Sequence, residues 1–288
     1  MKIYKAKKSL GQNFLKSALA LKKIVEAGEI SEEDIILEIG PGKGALTEKL
    51  LERAGCVIAI EKDYELFKFL QEKFSKEIKD EKLILINDDI LNLDVSSDFS
   101  SLRPSRITEW APREAQNRKK HPDFEYKIIA NIPYNITGAI LKKFLTEKNQ
   151  PERMILMVQN EVAKRIMARD KKESILSISV KAYGNPETIM KVPARYFSPV
   201  PNVNSVVIAI KNISRKNFIK NKINEEKFWE IIHAGFAHKR KKLSSNLKTL
   251  SKYGRIASAR ILGNKRAEEL TLEDWLNLAK AIDINKKG

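Results

Sequence analysis

The chain of 288 residues carries 54 Lys and Arg against 37 Asp and Glu, a net charge of +17, in a composition 42% hydrophobic and 32% charged. That much apolar material at this length suits one large domain with a smaller companion and excludes an intrinsically disordered chain. A single cysteine excludes an intramolecular disulfide and a Cys-rich zinc site, and three scattered histidines leave little for a metal cluster, so no metal is expected.

Near the start, the stretch from Ser9 to Leu21 is broken by Gly11, Gln12, Asn13 and Lys16 and lacks the apolar core of a signal peptide. No run approaches the ~20 apolar residues of a membrane span, so a cytoplasmic protein without membrane attachment is expected. In chain order, candidate strands follow at 35–39, 56–61, 83–86, 127–130, 154–159, 176–183 and 205–211. Between them 45–54, 64–74, 138–146 and 161–168 have the spacing of amphipathic helices. This alternation predicts an α/β domain over 1–213 with a mostly parallel sheet. The segment 99–125 breaks the rhythm with Pro104, Pro112 and Pro122, six basic and four acidic residues, and is expected to be a surface insertion. Beyond 213 the pattern is helical, at 228–247, 257–262 and 272–282, with Thr271 as an N-cap. Residues 214–288 hold 18 Lys and Arg against 8 Asp and Glu, a net +10, so this quarter of the chain carries more than half of the excess. A basic helical tail of this kind points to nucleic acid.

The motif Leu37-Glu38-Ile39-Gly40-Pro41-Gly42-Lys43-Gly44 places a glycine-rich turn between a buried strand and a helix, where a ligand can approach the backbone closely. A phosphate-binding loop would need Ser or Thr after its Lys, and a dinucleotide fingerprint would need its third glycine one residue later. S-adenosylmethionine remains, since its methyltransferases use an acid before such a turn and a second acid at the end of the next strand. Glu61 supplies the second acid, 19 residues after Gly42, where a carboxylate can accept ribose hydroxyls. In Asn87-Asp88-Asp89-Ile90, Asp89 can accept an adenine amino group while the backbone N–H of Ile90 meets a ring nitrogen.

Asn131-Ile132-Pro133-Tyr134, after the fourth strand, points to the methyl acceptor. The exocyclic amine of adenine is a poor nucleophile because its lone pair is delocalised into the ring. Accepting its hydrogens on the Asn131 side-chain carbonyl and the Ile132 backbone carbonyl favours a tetrahedral nitrogen. Pro133 fixes the backbone that presents them, and Tyr134 offers a face for a flipped-out base. Catalysis by alignment and electrostatics needs no general base.

These motifs, with Ser9-Leu10-Gly11-Gln12-Asn13-Phe14-Leu15, Gln159-Asn160-Glu161-Val162-Ala163-Lys164-Arg165, Phe197-Ser198-Pro199-Val200-Pro201-Asn202-Val203-Asn204-Ser205 and Phe236-Ala237-His238-Lys239-Arg240-Lys241-Lys242-Leu243, carry a resemblance over nearly the whole chain. The chain resembles the small-subunit ribosomal RNA adenine dimethyltransferases of the KsgA type, a group similar to the erythromycin-resistance rRNA methylases. The resemblance implies a class I, Rossmann-like methyltransferase fold with a seven-stranded sheet and a small helical C-terminal domain over 214–288. It implies cofactor contacts at Asn13, Leu15, Gly40, Glu61, Asp89 and Asn131, to which the glycine turn adds Gly42 and the Asn87-Asp88-Asp89-Ile90 motif adds Ile90. It implies a base site of Asn131 and Tyr134 with Phe197 as a second aromatic wall. The implied reaction transfers two methyl groups to N6 of each of two adjacent adenines in a small-subunit rRNA hairpin, as an assembly checkpoint, by a monomer. The chain departs from the family in having Glu173-Ser174-Ile175 before 176–183, Gly138 after the Tyr134 motif, and a longer insertion.

Lys239, Arg240, Lys241 and Lys242, on the expected helix 228–247, are candidates to track rRNA phosphates. Lys5, Lys7 and Lys8 are further candidates on an N-terminal arm. Cys56, in an apolar strand, is expected to be buried and inert. Two alternatives are a large-subunit methylase of the resistance type and a non-catalytic assembly or transcription factor on the same fold.

Overall fold

The computed structural model describes residues 6–7, 10–94, 125–248 and 265–284. Most of the 99–125 insertion with Trp110 and His121, the expected helix 257–262, and Lys5 and Lys8 lie outside the described residues. The chain divides into two compact units, Met1–Asn160 with Glu187–Ile213, and Glu161–Pro186 with Ser214–Gly288.

In the first unit a short strand β1 (Phe14–Leu15) leads through Ser17, whose hydroxyl caps the N–H of Ala20, into helix α1 (Ala18–Gly28). Then come β2 (Ile35–Ile39), α2 (Ala45–Leu51), β3 (Cys56–Ile60), α3 (Tyr64–Lys73), α4 (Ser75–Lys79) and β4 (Leu83–Ile86). After the insertion follow β5 (Lys127–Ala130), α5 (Thr137–Thr146) and β6 (Arg153–Gln159). The unit closes with β7 (Asn185–Val192), β8 (Phe197–Ser198) and β9 (Ser205–Lys211). The seven-stranded sheet has the order β4-β3-β2-β5-β6-β9-β7. Its pairs from β4 through β6 are parallel, and β9 runs antiparallel to β6. This is the expected α/β class I methyltransferase architecture.

Every residue of β2 and β3 is buried, as strands covered on both faces require. The Cys56 thiol is buried among them and pushed up to about 12 by burial, which keeps it protonated. The pairing register levels Ile39, Ile60 and Ile86, the last residues of β2, β3 and β4. Gly40 N–H then donates to the Ile60 carbonyl and Glu61 N–H to the Ile86 carbonyl, each at 2.9 Å. Three strand ends therefore open side by side on one edge of the sheet. The strand order reverses between β2 and β5, which is where open α/β sheets bind ligands.

The second unit holds α6 (Asn160–Met167), α7 (Ile175–Tyr183), α8 (Lys216–Asn221), α9 (Glu225–Phe236), α10 (Leu243–Asn246) and α11 (Leu272–Ile284). Its core is aromatic: Tyr183 packs on Phe218 at 5.4 Å and Phe218 on Phe228 at 5.3 Å, and the Trp229 indole N–H donates to the Tyr183 hydroxyl at 3.0 Å. A reciprocal pair caps α11, the Asp274 N–H donating to the Thr271 hydroxyl and the Thr271 N–H to the Asp274 carboxylate.

Three expectations need correction. Residues 176–183 form helix α7 rather than a strand. The alternation of apolar residues with Ser177 and Ser179 mimics a two-residue period, but Ser174 and Ser177 make a reciprocal capping box and Ser179 bonds back to the Ile175 carbonyl. The seventh strand is β7, less buried and with Pro186 near its start, as suits the edge of a sheet. With α7 goes the boundary: residues 161–186, expected in the first domain, belong to the helical unit, because Tyr183 is part of its aromatic core. The helix expected over 228–247 ends at Phe236 and resumes at Leu243. Lys239 to Lys242 therefore lie in an exposed turn rather than on a helix, braced by the Asn246 amide on the carbonyls of Gly235 and His238.

Candidate active site

The strand ends, the turn after β5 and the segment before α1 line one cavity of about 590 Å³. Asn13, Leu15, Gly40, Gly42, Glu61, Asp89, Ile90, Asn131, Ile132, Pro133 and Tyr134 all face it. Gly40 and Gly42 have φ of +65° and +60°, and a Cβ on Gly42 would stand 3.0 Å from the Phe14 ring. The turn is thus closed to side chains both by its backbone and by its neighbour.

Glu61, 5% exposed, accepts from the Gly42 N–H at 3.0 Å through Oε2 and from the Asp63 N–H at 2.9 Å through Oε1. Burial raises its carboxyl above the usual range, and these two N–H groups oppose the rise. Each oxygen keeps a lone pair for a ligand hydroxyl. Asp89 accepts from the Leu91 N–H at 3.0 Å and pairs with Lys62 at 2.7 Å. Burial works against its charge, but Lys62 and Leu91 outweigh burial and hold the carboxyl below its usual value.

In sequence Glu38 stands out only as an acid preceding the turn. It is 1% exposed, lines the cavity, and its Oε2 has no hydrogen-bond partner. Burial pushes its carboxyl up to about 8; the adjacent Thr47 hydroxyl pulls it back and the Glu61 charge adds to the rise. An orphaned buried oxygen in a cavity also lined by the carboxylates of Glu61 and Asp89 fits a cationic ligand such as S-adenosylmethionine. Because Glu38 binds its proton more tightly when folded than at the ordinary 4.5, its stabilising contribution is full below that value and is lost as pH rises toward 8. Without ligand, the melting temperature should fall between about pH 5 and pH 8, and Glu38→Gln should flatten that fall. Equal slopes in the two proteins would show that Glu38 does not carry the linkage.

The segment 10–15 closes one side of the cavity. Gln12 donates to Asp63 at 2.9 Å, Lys7 pairs with Asp63 at 2.8 Å, and Asp63 in turn presents its N–H to Glu61. On the other side the Asn131 amide nitrogen donates to the Asn13 carbonyl at 3.2 Å, which turns the Asn131 Oδ1 toward acceptor duty. Pro133, at φ −58°, leads into a short 3-10 turn, Tyr134–Ile136. The Tyr134 hydroxyl meets the Ser205 hydroxyl at 2.7 Å. Neither Gln12 nor Asp63 carries a signal of its own in the sequence: Gln12 sits inside a longer motif, while Asp63 reads as an ordinary helix cap, which it also is.

Phe197 is not where it was expected. It pairs with Leu15 across β1 and β8, is 1% exposed and belongs to the hydrophobic core, while its neighbour Ser198 reaches the cavity. Among the described residues no group of His, Cys, Asp and Glu is arranged to hold a metal, and no helix is long and apolar enough to cross a membrane.

A sheet of this order with acidic strand ends and a glycine turn on one cavity defines a class I, S-adenosylmethionine-dependent methyltransferase. The family model for ribosomal RNA adenine dimethylases matches residues 3–283, and the chain belongs to that family. It is accordingly an S-adenosylmethionine-dependent rRNA adenine dimethyltransferase. It is 38% identical over 280 residues, 95% of this chain and 87% of the relative, to a ribosomal RNA small subunit methyltransferase A of Dehalococcoides mccartyi (strain CBDB1). A crystal structure of a dimethyladenosine transferase from Plasmodium falciparum, 25% identical, superposes with a TM-score of 0.72 over 96% of this chain and 98% of that one. The 23S rRNA methyltransferase ErmE, 24% identical, shares the fold with a TM-score of 0.68 over 94% of this chain and all of that one.

Proposed function

We propose that the enzyme dimethylates N6 of two adjacent adenines in a hairpin of small-subunit rRNA, late in subunit assembly, as a cytoplasmic monomer. The observation that carries the reaction is the Asn131 amide, whose nitrogen is committed to the Asn13 carbonyl and whose oxygen is thereby left to accept from an amine. The name of the Dehalococcoides relative supports the choice of subunit.

In this reading Asn131 Oδ1 and the Ile132 carbonyl accept the two hydrogens of the adenine amine and draw its lone pair out of the ring. Pro133 keeps those two acceptors in register, and Tyr134 stacks the base. With Phe197 in the core, Tyr134 alone is assigned as the platform. Glu61 and Asp89 hold ribose hydroxyls and the adenine of the cofactor, Glu38 faces its cationic portion, and the positive-φ turn at Gly40 and Gly42 admits it close to the backbone. S-adenosylmethionine supplies an electrophilic methyl group when bound. The protons leave to solvent, since the amine becomes acidic once methylated, and no side chain is needed as a base.

Supplying labelled S-adenosylmethionine to purified unmethylated small and large subunits, followed by mapping of the modified bases, tests the assignment. Label is expected on neighbouring adenines of the small subunit; label on large subunits alone would favour the resistance-type reading, and none on either would favour a non-catalytic assembly role.

The exposed Lys239, Arg240, Lys241 and Lys242 turn is assigned to rRNA phosphates. Replacing all four by alanine should weaken subunit binding and reduce the slope of log affinity against log salt, by about 0.7–0.9 for each phosphate no longer neutralised. An unchanged slope would make the turn a merely solvated surface.

A further inference from the structure

We propose that Ser205 is a positioning residue for the target base: its hydroxyl holds the far end of the Tyr134 side chain and so sets the plane of the ring on which the adenine stacks. The proposal rests on the assignment of Tyr134 as the base platform.

Ser205 is a polar residue where an apolar one would otherwise be expected. It opens β9, the strand Ser-Val-Val-Ile-Ala-Ile-Lys, and is 0% exposed beside the buried Val206, Val207 and Ile208. Its backbone is held in the sheet, opposite Gln159 of β6. A buried hydroxyl in such a strand costs free energy unless it is paired, and its Oγ stands 2.7 Å from the Tyr134 hydroxyl.

Tyr134 is constrained from its other end. Its carbonyl accepts from the Thr137 hydroxyl at 3.2 Å, and the Ile136 N–H donates to the Pro133 carbonyl at 3.3 Å. With the backbone fixed, two side-chain torsions decide where the ring lies. The bond to Ser205 acts at the end of that lever, where a small rotation moves the hydroxyl furthest. Burial raises the Tyr134 phenol above its usual range, which keeps it neutral and able to donate. A phenylalanine would offer the same face for stacking, but nothing to anchor it. The hydroxyl therefore serves orientation rather than proton transfer.

A double-mutant cycle on the full chain tests this, with KM for the unmethylated subunit that the enzyme labels, kcat, and S-adenosylmethionine affinity by calorimetry. Ser205→Ala and Tyr134→Phe are each expected to raise KM about five-fold, the scale of one neutral hydrogen bond, with cofactor affinity unchanged. The double variant should be no worse than either single one, because both remove the same bond. Wild-type KM in Ser205→Ala, or losses that multiply in the double variant, would overturn the proposal. Should Ser205→Ala fail to fold, Tyr134→Phe decides, since it removes one oxygen from a half-buried side chain; a wild-type KM there would equally overturn it. Tyr134→Ala separates the two readings. If it too binds the subunit normally, the platform assignment itself falls, whereas impairment of Tyr134→Ala alone sinks only the role of Ser205.

Discussion

Replacing Asn131 by alanine should slow methyl transfer at least about 30-fold, a rise of about 2 kcal/mol or more in the barrier, the scale of losing one aimed polar group from a pre-organised site. The loss falls on chemistry rather than on folding. Asn131 is half-buried, and the turn that follows it is held by Pro133 and the Thr137 hydroxyl, neither of which needs its amide. Single-turnover rates with saturating cofactor and subunit would isolate the step, and a near-wild-type rate would remove Asn131 from catalysis. Asn131→Asp is the informative companion. It preserves the acceptor but loses the donor to the Asn13 carbonyl, placing two acceptors face to face, so its ring-side oxygen is no longer held in place.

Glu61→Gln should lower cofactor affinity by about ten-fold or more and destabilise the ligand-free protein by about 1–3 kcal/mol, although the two side chains are nearly the same size. Both Glu61 oxygens accept backbone N–H groups, from Gly42 and Asp63. A glutamine has one oxygen to offer, so its NH₂ must face one of these donors and leave it unpaired. Calorimetry with S-adenosylmethionine and thermal melting together would measure the two effects. An unaltered melting temperature would mean that the N–H groups are satisfied elsewhere, and an unaltered affinity would withdraw Glu61 from ribose binding.

Most of the cavity was legible in the sequence because its residues sit at strand ends. There an apolar β-branched run stops, and the next polar or glycine residue is left at the sheet edge. Gly40, Glu61 and Asn131 follow such runs directly and Asp89 stands three residues beyond one, and the register brings them together. Local signals failed where two periods fit the same letters. Leu176-Ser177-Ile178-Ser179-Val180 satisfies a two-residue repeat and also a helix with buried Ile178, Val180 and Ala182; the capping box at Ser174 decides for the helix. The edge strand β7 escapes notice because its Pro186, Glu187 and Lys191 dilute its apolar content. Phe197 opens a motif rich in Pro and Asn and is its only aromatic residue, yet strand pairing with Leu15 turns its ring into the core. Links such as Gln12 to Asp63, 51 residues apart, leave no local trace at all.

The bond between the Asn131 amide and the Asn13 carbonyl has a bearing on how the site can change. Its acceptor is main chain, which every amino acid at position 13 supplies, so the polarity of the reacting end is insulated from substitution there. The Asn13 side chain is turned elsewhere, donating to the Gly11 carbonyl. With Asn131 in its proposed role, the cavity's walls can therefore drift toward other base shapes or neighbouring nucleotides while the site goes on demanding a hydrogen-bearing nitrogen. A base that presents only a carbonyl oxygen at that spot would meet lone pair against lone pair. On the proposed role of Asn131, discrimination between amino and keto bases then rests on its side-chain oxygen, which the Asn13 main chain orients, and the other side chains are left to refine which amine is reached.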